Sequence, residues 1–245
     1  MKILITDTGS GFGHALAMEF LENGASVYGI SRRSNSYLKK YKHYHHLTHD
    51  LINHQELNVQ LKNFLARVKT LDLVILNAGI LFGINDIRKT SIEDIVTVMN
   101  VNLLANKVII DTLLETVSHV YQIVAISSGS AIKGSRGWNA FALSKAALNT
   151  LIKLYAREIP ETHFSALEPG IVDTDLHETT RRLTEEDIYP VARELKRNGM
   201  NSNGNLSDQN YAANYLVEAM GIILQEESGT YRDVRDILLT PELVS

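Results

Sequence analysis

Residues 2–13, Lys-Ile-Leu-Ile-Thr-Asp-Thr-Gly-Ser-Gly-Phe-Gly, decide how the rest of the chain is read. Lys2–Thr6 is a short apolar run of buried-strand type, and Gly9, Gly11 and Gly13 crowd the turn after it. Gly11–Asn23 then reads as a helix, with Gly24 placed where a helix terminus takes a residue of positive φ. A strand that enters a helix through such a turn lets backbone approach a phosphate closely. The helix N-terminus adds amide donors and partial positive charge.

The same alternation continues outward. Ser26–Ile30, Tyr44–Thr48, Leu71–Leu76, Tyr121–Ser127 and His163–Leu167 read as further strands. Between them, Asn53–Lys69 repeats apolar residues at helical spacing (Leu57, Leu61, Phe64, Leu65, Val68), and Asn139–Arg157 also reads as a helix. Ser91–Val117 reads as one long helix, with Ser91 as N-cap and Asp94 three residues on in an approximate capping box. Strands apolar throughout and separated by helices imply a parallel sheet covered on both faces. Right-handed crossovers make it a doubly wound, Rossmann-like α/β sheet, with ligands expected beyond the carboxyl ends of the strands. No repeat or linker interrupts the chain, so residues 1–245 are expected to form a single domain. The polar stretch 175–205 reads either as a lid inserted over the site or as a solvated helical excursion.

Composition narrows the chemistry. The 245 residues are 44% apolar and 21% charged with four prolines, which suits one large core and excludes disorder. No cysteine is present, so disulfides, a thiolate nucleophile and a cysteine-based zinc site are excluded. A formal charge of −4 without a basic block argues against a nucleic-acid partner. The longest apolar runs are strand-sized, below the ~20 residues of a membrane helix, and Met1–Thr6 is too short for a signal peptide. A soluble, cytoplasmic protein is expected. His43, His45, His46, His49 and His54 crowd one short region, but neighbours in a strand face opposite ways, so surface and strand-edge histidines are expected and no metal site.

Further landmarks fall at the strand ends: Asn77-Ala78-Gly79, Asn102 in Val101-Asn102-Leu103, Ser127-Ser128, Lys145 and Pro169-Gly170. With the first turn, and in this order over almost the whole chain, they resemble the short-chain dehydrogenase/reductase family. The family's Thr-Gly-x-x-x-Gly-x-Gly turn is matched at Thr6, Gly11 and Gly13, and Leu76-Asn77-Ala78-Gly79 stands for its Asn-Asn-Ala-Gly. The resemblance implies a nicotinamide dinucleotide bound along Thr6, Asp7, Thr8, Gly9, Ser10, Gly11, Phe12 and Gly13, then Asn77, Ala78 and Gly79. It places Asp50 and Leu51 near the adenine. Pro169, Gly170, Val172 and Thr174 lie toward the nicotinamide, with Thr174 meeting the carboxamide. Ser128 takes the place of the catalytic serine, Asn102 that of the asparagine anchoring water behind the lysine, and Lys145 that of the lysine holding the ribose. Pairing through the two long helices, as a homodimer or homotetramer, is implied as well.

Two positions depart from the family pattern. Phe141 stands where the family has the tyrosine of Tyr-x-x-x-Lys, and Tyr155 lies beyond Lys145 rather than four residues before it. A phenyl ring has no proton to exchange with a substrate oxygen, and general acid–base catalysis is typically worth ~10²–10⁴-fold. Ser128, or a water held by Lys145, is left as the donor. The chain is then a weakened oxidoreductase, a protein that binds the dinucleotide without turning it over, or one whose tyrosine was replaced by design. Asp7 replaces the first glycine of the turn, and its charge within roughly 5 Å of a phosphate would cost ~3 kcal/mol at an effective dielectric near 20. Weakened rather than abolished binding is expected, with Gly9 restoring backbone freedom lost at position 7.

The end of the second strand reads Ile30-Ser31-Arg32-Arg33, without the acid that contacts ribose hydroxyls in NAD-specific members. A hydroxyl followed by two guanidiniums suits a 2′-phosphate, Arg32 foremost, so NADP(H) is expected over NAD(H). The expected function is hydride transfer between nicotinamide and a small-molecule carbonyl or secondary alcohol. Phe82, Trp138 and the 175–205 insertion are expected to wall the substrate. The rival is a non-catalytic NADP(H)-binding sensor or scaffold.

Overall fold

Ile3, Leu4 and Ile5 are wholly inaccessible to solvent, with Ile3 and Ile5 packed into one layer of core and Leu4 into the other. A strand that buries both faces belongs in the middle of a covered sheet. The computed structural model, which describes residues 1–172, 188–193 and 208–238, places it there. Seven parallel strands run in the order β3-β2-β1-β4-β5-β6-β7. They are β1 Lys2–Thr6, β2 Ser26–Ser31, β3 Tyr44–Thr48, β4 Thr70–Leu76, β5 His119–Ile126, β6 His163–Glu168 and β7 Thr230–Asp233. The order reverses between β1 and β4, which opens a crevice at their carboxyl ends.

The helices among the described residues are α1 Gly11–Glu22, α2 His54–Leu65, α3 Ile92–Met99, α4 Ala105–Thr116, α5 Ser130–Lys133, α6 Asn139–Glu158, α7 Gln209–Ile222 and α8 Val234–Leu238. Leu16 and Phe20 of α1 share one core layer with Ala213 and Leu216 of α7. Leu57 and Leu61 of α2, Ile109 and Leu113 of α4, and Leu148 and Ile152 of α6 fill the other. Gly24 has φ +79° after α1, the left-handed conformation anticipated for it.

The differences from the sequence reading are local. The long helix is capped where expected, with the Asp94 N–H donating to Ser91 Oγ at 3.0 Å, but Asn100–Leu104 winds as a π-helical turn between α3 and α4. Such single turns concentrate at functional sites. This helical stretch, Ile92–Thr116, also corrects the expectation that apolar runs are only strand-sized. It reaches membrane-crossing length at mean hydropathy 1.2, yet Ala105, Ile109, Ile110 and Leu113 are buried against the sheet. The helix read over 53–69 stops at Leu65, although Val68 remains buried in the same core. The sheet's last strand, β7, is a half-buried edge of Thr-Tyr-Arg-Asp that no apolar run announced. Most of the proposed lid and Thr174 lie outside the described residues.

Candidate active site

Thr6 and Asn77 set the width of the crevice. Thr6 Oγ1 accepts from the Asn77 and Ala78 N–H groups, both at 2.9 Å, and Asn77 Nδ2 returns a bond to Thr6 O at 3.1 Å. Thr8 is buried beneath the turn, its Oγ1 2.7 Å from the Tyr44 hydroxyl. These three side chains hold the strand ends and the turn in register.

Above them Asp7 adopts φ +62°, and its N–H donates to Ile30 O at 2.6 Å. Aspartate is among the few residue types that tolerate the left-handed region. The expected division of labour is therefore corrected: position 7 takes the strained conformation itself, while Gly9 serves by lacking a side chain. A Cβ there would lie 2.7 Å from Arg33 O. Gly13 is needed more strongly still, since a Cβ would meet Asp7 O at 2.2 Å and Asn77 Nδ2 at 2.6 Å. Gly11, at φ +60°, faces open space, and Ser10 caps α1 without a side-chain bond. The first turn of α1 thus keeps its amide donors beside a backbone cradle, which fits a phosphate.

A cleft of about 620 Å³ runs from this cradle across the ends of β4 and β5. Asp7, Ser10, Gly11, Phe12, Gly13 and Arg32 line one end; Asn77 and Gly79 the middle; Ser128, Phe141, Lys145, Pro169, Gly170 and Val172 the other. Thr6, Thr8, Gly9, Ala78 and Asn102 stand behind that lining. Ser31 does too: it is buried, its hydroxyl donating to Arg33 O at 2.8 Å. Arg33 and Asp50 are exposed outside the cleft, and the Asp50 carboxylate accepts from the Ile52 N–H at 3.2 Å. Leu51 is core beneath the sheet.

At the far end, Ser128 Oγ accepts from the N–H of Ser130 (3.2 Å) and from its hydroxyl (3.0 Å). With both acceptor sites taken from within, the Ser128 proton is left to be given away. Lys145 is only 3% exposed; its Nζ donates to Ile126 O at 2.6 Å and stands 5.6 Å from the Phe141 ring centre. Burial lowers this ammonium to about 8. Asn102, wholly buried in the π-turn, exchanges bonds with the Ile80 N–H (2.8 Å) and Ile80 O (3.1 Å) and donates to Ser144 Oγ at 3.0 Å. Its main-chain oxygen accepts from Asn106 Nδ2 at 2.8 Å. The π-turn thereby ties the loop after β4 to the residue preceding Lys145.

Phe141, 4% exposed, packs with Trp138, Ile84, Tyr189 and Ala192 into an apolar wall. Phe82 does not join it. It is 53% exposed and absent from the cleft lining, while Leu81 belongs to both the lining and the wall, so Leu81 takes the place expected of Phe82. Several cleft residues carried no signal in the sequence. Glu168 lies against Gly129, where a Cβ would be 2.7 Å from its Oε1, and accepts from the Tyr231 hydroxyl at 2.5 Å. Arg235 of α8 reaches the same carboxylate at 3.5 Å. Only the late strand β7 brings Tyr231 and Arg235 here. Among the described residues no three metal-ligating side chains converge. His45 stacks on Tyr28, His49 bonds Gln60 and Asn53 O, and His54 bonds Asn100 O.

Comparison with known proteins agrees with this geometry. The chain is 28% identical over 229 residues to a benzil reductase ((S)-benzoin forming) of Bacillus cereus, covering 86% of this chain and 90% of that one. A short chain dehydrogenase/reductase of Saccharomyces cerevisiae has the same fold at TM-score 0.82 and 22% identity, over 99% of this chain and 98% of that chain. The 3-ketoacyl-(acyl-carrier-protein) reductase of Brucella melitensis, complexed with NADH, superposes at TM-score 0.76 and 18% identity, over 95% and 96%. The short chain dehydrogenase family model matches residues 1–185, and this chain, with its glycine turn, its serine and its buried lysine gathered beyond the strand ends of one parallel sheet, belongs to that family.

Proposed function

We propose that this chain is an NADP(H)-dependent oxidoreductase interconverting a small-molecule carbonyl and its secondary alcohol, at a rate lowered by Phe141. The convergence of the phosphate cradle, Arg32, Ser128 and Lys145 on one cleft carries the reading. When bound, the dinucleotide supplies the hydride. Ser128 holds the carbonyl oxygen through the proton its own bonding leaves free and is the nearest donor to the forming alkoxide. Lys145 grips ribose hydroxyls and keeps the local potential positive. Asn102 positions it through Ser144. Arg32, with Arg33 beside it, supports a preference for the 2′-phosphate, because a guanidinium fork matches phosphate oxygens.

The likeness to a benzil reductase and the wall of Trp138, Phe141 and Tyr189 favour an aryl ketone or diketone, whose rings that wall would stack against. Tyr189 and Ala192, buried on this wall, support the reading of 175–205 as a lid, and membership of the family supports a role for Thr174 at the carboxamide. Exposed Ile92, Val96, Leu143 and Leu154 on α3 and α6 support self-association as a homodimer or homotetramer, and we place the enzyme in the cytoplasm. The phenyl ring at 141 favours one second reading, a sensor or scaffold that binds NADP(H) without turnover.

Fluorescence titration of NADPH and NADH, with an NADPH-oxidation assay over ketones and diketones including benzil, tests the proposal. Tighter NADPH binding with slow turnover of at least one carbonyl is expected. Equal affinity for the two nucleotides refutes the arginine argument, and binding with no turnover leaves the sensor.

A further inference from the structure

The loop that carries Arg32 and Arg33 is fastened at both ends. The Ser31 hydroxyl donates to Arg33 O at 2.8 Å, and Asn35 Nδ2 donates to Gly9 O at 3.1 Å, against the glycine turn. Under Ser31, on the neighbouring strand β3, His46 sets its Nε2 2.9 Å from Ser31 Oγ. Because Ser31 spends its proton on Arg33 O, the Nε2–H must donate to Ser31. Nδ1, 3.3 Å from Thr48 Oγ1, is then left as an acceptor for the Thr48 hydroxyl. Both partners are hydroxyls, which accept as readily as they donate. A second proton on the ring therefore breaks neither contact: Thr48 turns to accept, and Nε2–H stays on Ser31.

We propose that His46 is a positioning residue for the ribose 2′-phosphate, acting through Ser31: a proton taken up by the ring on binding strengthens the Nε2–H bond to Ser31 and, through the Ser31 bond to Arg33 O, holds the Arg32–Arg33 loop against the phosphate. The inference rests on the NADP(H) reading above and deepens it.

The surroundings of the ring set the direction of the effect. Lys39, in the 3₁₀ turn Leu38–Lys40, and the guanidiniums of Arg32 and Arg33 are the cations on the elements around it. Tyr44, with ring centres 6.0 Å apart, and Thr48 are its neighbours on β3. Among the described residues Lys39 is the one charged group that acts on it, and no carboxylate offsets it. Burial and Lys39 hold the imidazole below its usual range, so it is neutral near pH 7 in the free protein. A phosphate carrying close to two negative charges supplies the missing counter-charge. Proton uptake at the imidazole then accompanies binding of the phosphorylated nucleotide and not of its analogue without the phosphate, on top of any uptake at Lys145 common to both. By linkage, NADPH affinity rises as pH falls more steeply than NADH affinity does; Lys145, at about 8, gives both nucleotides a common slope, and His46 gives NADPH the excess. The 2′-phosphate itself protonates near pH ~6, so the informative window lies above it.

The experiment is calorimetric titration of the full chain with NADPH and with NADH at about pH 6.5, 7 and 8, in buffers of differing ionisation enthalpy, beside His46→Gln. Glutamine keeps an N–H for Ser31 and cannot titrate. In the unaltered protein the NADPH-to-NADH affinity ratio should be about tenfold larger at pH ~6.5 than at pH ~8, with more protons taken up with NADPH than with NADH. His46→Gln should keep the preference for NADPH while losing the pH dependence and the uptake by which NADPH exceeds NADH. Identical pH dependence and uptake in His46→Gln overturns the role of His46 and leaves the NADP(H) reading standing. Equal binding of NADPH and NADH by the unaltered protein at every pH overturns both.

Discussion

Restoring a phenol at position 141 is the sharpest test of the site. The Phe141 ring is 4% exposed but reaches the cleft, and Lys145 Nζ stands 5.6 Å from its centre. If the new oxygen of Phe141→Tyr lies about 5 Å from that ammonium, an effective dielectric of about 20 gives ~3 kcal/mol in favour of the phenolate. That is a little over two pKa units, enough to bring an ordinary phenol from about 10 to about 8. A proton donor tuned this close to working pH should raise kcat for reduction by ~10²–10⁴-fold. The gain should fade as pH rises through about 8, because the donor must be protonated; alcohol oxidation should show the opposite slope. Should the hydroxyl be forced into the Trp138 wall instead of the cleft, the variant would lose ~1–3 kcal/mol of stability, which a urea melt detects. NADPH oxidation with benzil across pH is the assay. A gain below about tenfold, with NADPH affinity and stability unchanged, refutes the assignment of this cleft as a reductase site lacking only its acid.

Three further outcomes are expected. Lys145 sits at about 8 in the folded chain against an ordinary ~10.4, so its buried charge costs stability below pH 8 and the cost fades as pH rises toward 10. Lys145→Met should therefore stabilise the ligand-free protein by ~2 kcal/mol near pH 7, after losing ~1 kcal/mol for the bond to Ile126 O, and the advantage should vanish by about pH 10 in urea melts. Asp7→Gly relieves a left-handed residue but adds backbone entropy to the unfolded chain, so its Tm should barely move, while removal of an exposed charge (~1 kcal/mol) should tighten NADPH about fivefold by fluorescence. Leu143→Glu, at a half-exposed leucine on α6, should reduce the particle mass seen by light scattering; an unchanged mass removes that face from the assembly.

The parallel sheet was legible because β1, β4 and β5 are apolar on both faces, and only a doubly covered sheet accommodates that. β7 was not, because an edge strand that is half-buried throughout needs no apolar run, and with it went Tyr231 and Arg235. The cleft ends were legible as motifs, but the side chains behind them were not. Periodicity shows that Ser91–Val117 is helical; it does not show that one turn widens at Asn102 so that the loop after β4 can be tied to α6. The turn around Asp7 was misjudged for a similar reason. Which residue takes positive φ depends on where neighbouring backbone lies, and Arg33 O and Asp7 O come from a loop and a turn that no local pattern locates.

Lys145 bears on the choice between a working cleft and a relic. A buried ammonium whose nearest ring is phenyl and whose nearest acceptor is one main-chain oxygen is poorly compensated for leaving water. Among the described residues no carboxylate acts on it, and burial alone accounts for its lowered proton affinity. Methionine would fill the same space without that cost. Stability therefore gives no reason for a cation here, whereas an incoming ligand rich in hydroxyls and phosphate gives a direct one. Gly79 stands beside it on the cleft wall, where a Cβ would make only an ordinary 3.5 Å contact with Nζ. An ammonium held by one main-chain oxygen, with no counter-charge among the described residues, on the wall of the cleft is the arrangement of a group that waits for its partner. If Lys145→Met were as stable as predicted and still bound NADPH with unaltered affinity, that partner would have to be sought elsewhere than in the dinucleotide.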